Sequence, residues 1–269
     1  MFISLRTPFY GAALALLTVF ASAPARASYI LQDAYIGGVD TWNNPSDVIG
    51  DPSTFGITSA TIDRINNGNT LQITINTNYA GAPGSAAADT TGYGALFITP
   101  GKNAWQPQGT GPNYSTDTYQ PGEWTYAATI PLDPNSNSGA GGLYLTSDGS
   151  IVMSHVGNEY QTYPIDPQAG YYFRADQAVQ FSADQNATGK PETWSIGVGT
   201  ITFSIDDNGS LGNDFALSWA MTCANDIIQG QVDLPTDVPE PSTWSIFAAG
   251  LLFAGLMRVR KPRRAVERA

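Results

Sequence analysis

Apolar residues recur at every second position through the middle of this chain, the period of a strand with one face buried. Leu71, Ile73 and Ile75 alternate with Gln72, Thr74 and Asn76, and the preceding run Ala60 to Ile65 joins them through Asn66-Asn67-Gly68-Asn69, a hairpin turn. Ala95 to Thr99 predicts a short strand, and Trp124, Tyr126, Ala128, Ile130 and Leu132 line one face of another. Leu143 to Thr146 and Ile151 to His155 flank Ser147-Asp148-Gly149-Ser150, which predicts a second hairpin. Trp194, Ile196 and Val198 occupy even positions, then Ile201, Phe203 and Ile205 odd ones. That change of phase across Gly199-Thr200 predicts a β-bulge bending one long strand. Phe215, Leu217, Trp219 and Met221 share a face of the next strand, and Ile228 to Leu234 form the last. No internal repeat is visible, so the pattern predicts an all-β domain over 28–234: a jelly-roll-like antiparallel β-sandwich of about eight to ten strands.

Both ends of the chain break the pattern. Arg6, the apolar run Phe9 to Ala21 and the small-residue site Ala25-Arg26-Ala27 predict a signal helix over 1–27, cleaved between Ala27 and Ser28. At the other end, Pro235, Pro239 and Pro241 keep 235–243 extended, because each removes a backbone donor. An apolar segment over 244–257, Trp244 to Met257, follows, and then a basic tail over 258–269 with Arg258, Arg260, Lys261, Arg263 and Arg264. The segment is shorter than the roughly twenty residues of a comfortable membrane span, and flanking residues with snorkelling arginines make up the difference. Basic residues at both ends place both in the cytoplasm before processing.

Taken together, Pro239-Glu240-Pro241, the short apolar helix and the Arg-rich end resemble the PEP-CTERM sorting signal of Gram-negative bacteria. The resemblance implies passage through the secretion machinery, a transient inner-membrane precursor, and processing near the motif by an exosortase-type membrane protease. It further implies a destination at the cell surface or in the extracellular matrix and a frequent link with exopolysaccharide. It implies no biochemical activity. The stretch Trp219 to Gly230 also resembles, locally, a closing segment of other PEP-CTERM cargo proteins.

Trimming both ends changes the charge balance. The whole chain of 269 residues carries −11, but 28–238 holds four Lys and Arg against 21 Asp and Glu, a net −17. Nucleic acid and anionic lipid are poor partners for such a surface, whereas cations and neutral polymers suit it. A single cysteine, Cys223, excludes an intrachain disulfide, and its neighbours Trp219, Ala220 and Met221 predict a small buried thiol at a strand end.

The candidate chemistry is mostly excluded by composition. With one histidine, His155, no multi-histidine zinc or copper centre can form, and no G-x-S-x-G turn accompanies it for a serine triad. Only Glu123, Glu159 and Glu192 are glutamates in the exported part, in no alternating arrangement on one strand. The expected protein is not an enzyme, although carboxylates drawn from separate loops would suit a carbohydrate-active one. Asp206, Asn208 and Asp214 offer hard oxygen ligands for calcium, and a plain Asp-Asn-Gly turn accounts for the same letters. Asp40, Asp47 and Asp51 form a second acidic group. Trp105, Tyr114 and Tyr119 in one long loop, with Tyr160, Tyr163, Tyr171 and Tyr172 in another, have the flat rings and hydroxyls that bind glycans. Core packing competes for the same rings. Three readings follow: a non-catalytic surface protein that binds extracellular polysaccharide, a self-associating matrix component, and a carbohydrate-active enzyme.

Overall fold

The computed structural model describes residues 28–38, 47–81, 92–108, 114–130, 136–154, 174, 176–182, 187–235 and Leu251. The expected signal helix, the Pro-Glu-Pro linker from 236 onward and the basic tail lie outside them. Among the described residues no helix is long and apolar enough to cross a membrane. Residues 26–238 form one compact unit.

That unit is all-β. Ten strands form one antiparallel sheet: β1 (Tyr29–Gln32), β2 (Ile57–Ile65), β3 (Thr70–Thr77), β4 (Tyr93–Pro100), β5 (Tyr126–Ala128), β6 (Ser138–Leu145), β9 (Ala187–Gly197), β10 (Thr200–Asp206), β11 (Asp214–Met221) and β12 (Ile227–Asp233). Their order is β1-β2-β3-β10-β9-β6-β5-β4-β11-β12. The sheet curls until its two edges nearly meet. Tyr29 Oη in β1 donates to Gln231 O in β12 at 3.2 Å, and Leu31 lies where a side chain on Gly230 would stand. The expected two-sheet jelly roll is therefore replaced by one nearly closed barrel. Closure buries one continuous interior and covers both edges, which a sandwich would leave open.

The interior holds Ile62, Leu71, Ile73, Ile75, Leu96, Ile98, Phe203, Ile205, Phe215, Leu217 and Trp219. A second apolar layer lies on the outer face of β4, β5 and β11, where Phe97, Ala127, Ala216 and Ala220 meet Trp105, Trp124, Val179 and Phe181. Part of that cover is a separate two-stranded ribbon of β7 (Ile151–Met153) and β8 (Ala178–Phe181). With both faces covered, β4 and β11 read as nearly continuous apolar runs.

Three local expectations change. The phase flip at Gly199 is a hairpin, not a bulge: Ile201 pairs with Ile196 and Phe203 with Trp194, across Val198-Gly199 with Gly199 at φ 71°. In a hairpin whose paired positions sum to an odd number, even residues on one strand share a face with odd residues on the other. The Ser147–Ser150 stretch is not a hairpin turn either, because β7 leaves the barrel to pair with β8. Trp124 precedes β5 and packs in the outer layer, opposite to Ala128. The Asn66-Asn67-Gly68 turn does join β2 to β3, with left-handed φ of 51°, 58° and 90°. Cys223 lies just past β11 and is half-buried.

Antiparallel pairing around the barrel gives it two ends. At the base, β1 begins and β12 finishes, and the β10–β11 turn lies there too, since Leu234 N donates to Asn213 O. At the crown, β1 finishes, and β2 and β12 begin.

Candidate functional site

The outer layer is where the sequence-predicted aromatics come together. The chain leaving β4 brings Trp105 against Tyr35, with ring centroids 5.5 Å apart at 77°, and against Tyr114, 5.9 Å apart at 85°. Such edge-to-face packing suits the ring quadrupoles. Trp105 is buried, 8% exposed, so it serves the core as well as any site, whereas Tyr114 is 42% exposed. Tyr119 is half-buried, and its hydroxyl donates to Asp148 Oδ1 at 3.2 Å.

A hydrogen-bonded floor holds these rings. Tyr35 Oη donates to Asp117 Oδ2 at 2.8 Å, Gln108 N to Asp117 Oδ1 at 2.8 Å, and Gln177 Nε2 to Asp117 O at 2.9 Å. Burial, followed by the Asp117 charge and hydrogen bond, holds the Tyr35 phenol well above its usual range.

Glu123 sits beside this floor, at the edge of the outer layer. It accepts from Gln120 N at 3.0 Å and is approached by Gln229 Nε2 at 3.5 Å. Burial raises its carboxyl to about 7; the Asp117 charge adds to the rise, while the Gln120 N–H and the indole of Trp105 oppose it. Trp105 Nε1 is buried and closes no hydrogen bond of good geometry. Tyr119 is pushed up to about 12, first by burial and then by Asp148. Ring faces beside acceptors of this kind suit a sugar, whose C–H face stacks on aromatic rings while its hydroxyls donate.

The crown carries a second group. Carboxylate oxygens of Asp33, Asp47 and Asp226 lie within 4.8 Å of one another. Asp226 accepts from Ile57 N at 2.6 Å and Ile227 N at 3.0 Å. Arg174, fully buried, donates to Gly37 O at 2.9 Å and Gly38 O at 3.2 Å, and to Asp47 O at 2.5 Å. Burial, then the Asp226 and Asp47 charges, raise Asp33 far above the carboxylate range. Three oxygens at this spacing could hold a hard cation. The guanidinium of Arg174 already offsets part of the charge there. Sequence reasoning marked Asp47 alone of these; Asp33 and Asp226 meet only because β1 and β12 close the barrel.

The other candidates lie apart. At the base, Asp206 Oδ1 accepts from Thr70 Oγ1 at 2.6 Å, and Asn208 adopts φ 51° in the turn. Asp207, between them, forms a 2.5 Å ion pair with Arg64 and accepts from Leu211 N at 2.8 Å. Asp214 opens β11 opposite Asp233. These contacts are those of a closed turn. Asp51 caps a short helix over Pro52–Phe55, accepting from Ser53 N at 2.9 Å. Glu192 faces the barrel interior, 1% exposed, and so cannot act with Glu123 on one bond. Asp40, His155, Glu159, Tyr160, Tyr163, Tyr171 and Tyr172 lie outside the described residues, as do Ala27, Pro239, Glu240, Pro241 and the basic tail.

Residues 237–261 match the family model described as the PEP-CTERM protein-sorting motif. The chain carries a PEP-CTERM sorting signal. No curated protein and no solved structure matches it. The PEP-CTERM motif implies an exported protein, sorted to the cell surface and processed by an exosortase. The domain it delivers is the β-rich unit described above.

Proposed function

We propose that this PEP-CTERM protein is a non-catalytic surface domain that binds extracellular polysaccharide on the patch of Tyr114, Trp105, Tyr119 and Glu123. The observation that carries the reading is the packing of the exposed ring of Tyr114 edge-to-face on the indole of Trp105, beside the Glu123 carboxyl. Stacking of a sugar ring on Tyr114 needs little reorganisation, because Tyr114 and Trp105 already pack on Tyr35, whose hydroxyl donates to Asp117.

The test is retention of the full chain, in detergent, on polysaccharide purified from the producing cells. Retention should fall at least tenfold in Tyr114→Ala, with an unchanged melting temperature. Equal retention of the two proteins would sink the assignment to this patch.

A further inference from the structure

We propose that Asn67, in the turn between β2 and β3, is a site of spontaneous deamidation in the folded domain, whereas the same dipeptide at Asn208 is protected by the fold. The chain holds two Asn-Gly dipeptides, Asn67-Gly68 and Asn208-Gly209, and both asparagines are exposed. Glycine after asparagine leaves the next backbone nitrogen open, because no side chain shields it. Gly68 N bonds to Asn67 Cγ, the side-chain nitrogen leaves as ammonia, and a five-membered succinimide forms. Water then opens either imide carbonyl, giving aspartate or isoaspartate. Water is the only co-reactant.

Both asparagines start in the left-handed region, Asn67 at φ 58° and Asn208 at φ 51°, so each must turn to bring the next nitrogen against its Cγ. The surroundings decide which one can. Around Asn67 the closure is local: Asn69 N donates to Asn66 O at 3.2 Å, and Asn66 Nδ2 to Thr70 Oγ1 at 3.1 Å. At the other site the attacking nitrogen itself is held, since Gly209 N donates to Asp207 Oδ1 at 3.3 Å. Asp207 is fully buried, paired with Arg64, and accepts from Leu211 N at 2.8 Å. Asn208 N donates to Asn69 O at 2.9 Å, and Ser210 N to Asp207 O at 3.0 Å. Turning Asn208 therefore disturbs bonds anchored on a buried ion pair, which costs far more than opening one exposed turn.

The product loosens the base of the barrel. Isoaspartate routes the main chain through the side-chain carbon and lengthens a turn whose three residues, Asn66, Asn67 and Gly68, all hold left-handed φ. Asn69 follows at once with the carbonyl that receives Asn208 N, and a Cβ on Gly209 would stand 3.7 Å from Gly68 O. A longer β2–β3 turn thus pushes on the β10–β11 turn beside it.

The experiment incubates the full chain in detergent at pH 8 and follows both sites by tandem mass spectrometry, as the mass gain of a carboxyl replacing an amide. Methyltransferase labelling reads isoaspartate. Asn67 should convert at least tenfold faster than Asn208, mostly to isoaspartate, and the aged protein should melt lower than fresh protein. In urea that unfolds the barrel, the two sites should convert at closely similar rates, because both precede glycine. Equal rates in the folded protein, or no conversion at Asn67, overturn the proposal. A ratio that persists in urea overturns it as well, since the difference would then belong to the sequence and not the fold. Asn67→Asp supplies the charge without the longer chain and should melt like fresh protein; a Tm as low as that of aged protein would refute the turn-lengthening argument.

Discussion

Glu192 offers the sharpest test of how this barrel is held together. It projects from β9 into the interior opposite Ile205 of β10 and Gly141 of β6, and a Cβ on Gly141 would stand only 2.4 Å from Glu192 Oε2. Neither carboxyl oxygen has a hydrogen-bond partner among the described residues. Burial alone raises its pKa from 4.5 to about 8. The folded state therefore binds this proton more tightly than the unfolded chain does. The stability it contributes is complete below about pH 4.5, declines as pH rises toward 8, and is flat above. Between pH 5 and pH 7.5 the linkage amounts to about 3 kcal/mol at most, since each pH unit is worth about 1.4 kcal/mol. Residual solvent screening lowers that figure. Glu192→Gln keeps the shape and removes the titration. Asp33, Asp226 and Glu123 titrate in the same direction, but they act equally in both proteins and cancel in the difference. Urea unfolding of both proteins at pH 5 and pH 7.5 should show Glu192→Gln gaining about 2–3 kcal/mol on the wild type at the higher pH. A gap between the two proteins that is the same at both pH values would mean Glu192 has a partner or solvent access, and the reasoning would fail.

Three further outcomes are expected. Gly94→Ala would place its Cβ 2.0 Å from Ala220 O and 2.6 Å from Val179 O, two backbone atoms that cannot yield without separating β4 from β11 and β8. It should cost about 3 kcal/mol or more, read as a fall in Tm. Arg64→Met leaves the buried Asp207 without its ion pair and should cost about 3–5 kcal/mol in urea unfolding, whereas Lys102→Met on the surface should change little. Replacing Pro239, Glu240 and Pro241 together by alanine should leave the protein in membranes at precursor mass. Mass spectrometry of the surface fraction checks this, and a normally processed species would show that the motif is dispensable.

The sequence by itself determined the destination and the class of fold. The sorting signal is legible because its three parts are contiguous, and each acts through local chemistry: proline rigidity, apolar length and cationic charge. The strands are legible for the same reason, since a period of two and an Asn-Asn-Gly turn act over a few residues. What the sequence could not decide was everything that depends on partners distant along the chain. One phase flip is equally a bulge or a hairpin until Trp194 is seen opposite Phe203, and Ser147–Ser150 looks like a hairpin until β7 is seen to pair with β8. Closure into a barrel rests on Leu31 meeting Gly230, and it alone brings Asp33 to Asp226. The aromatic residues were legible as candidates, but which of them face solvent was not. Trp105 turns inward and Tyr114 outward because a second apolar layer covers β4 and β11, and no local pattern announces that layer.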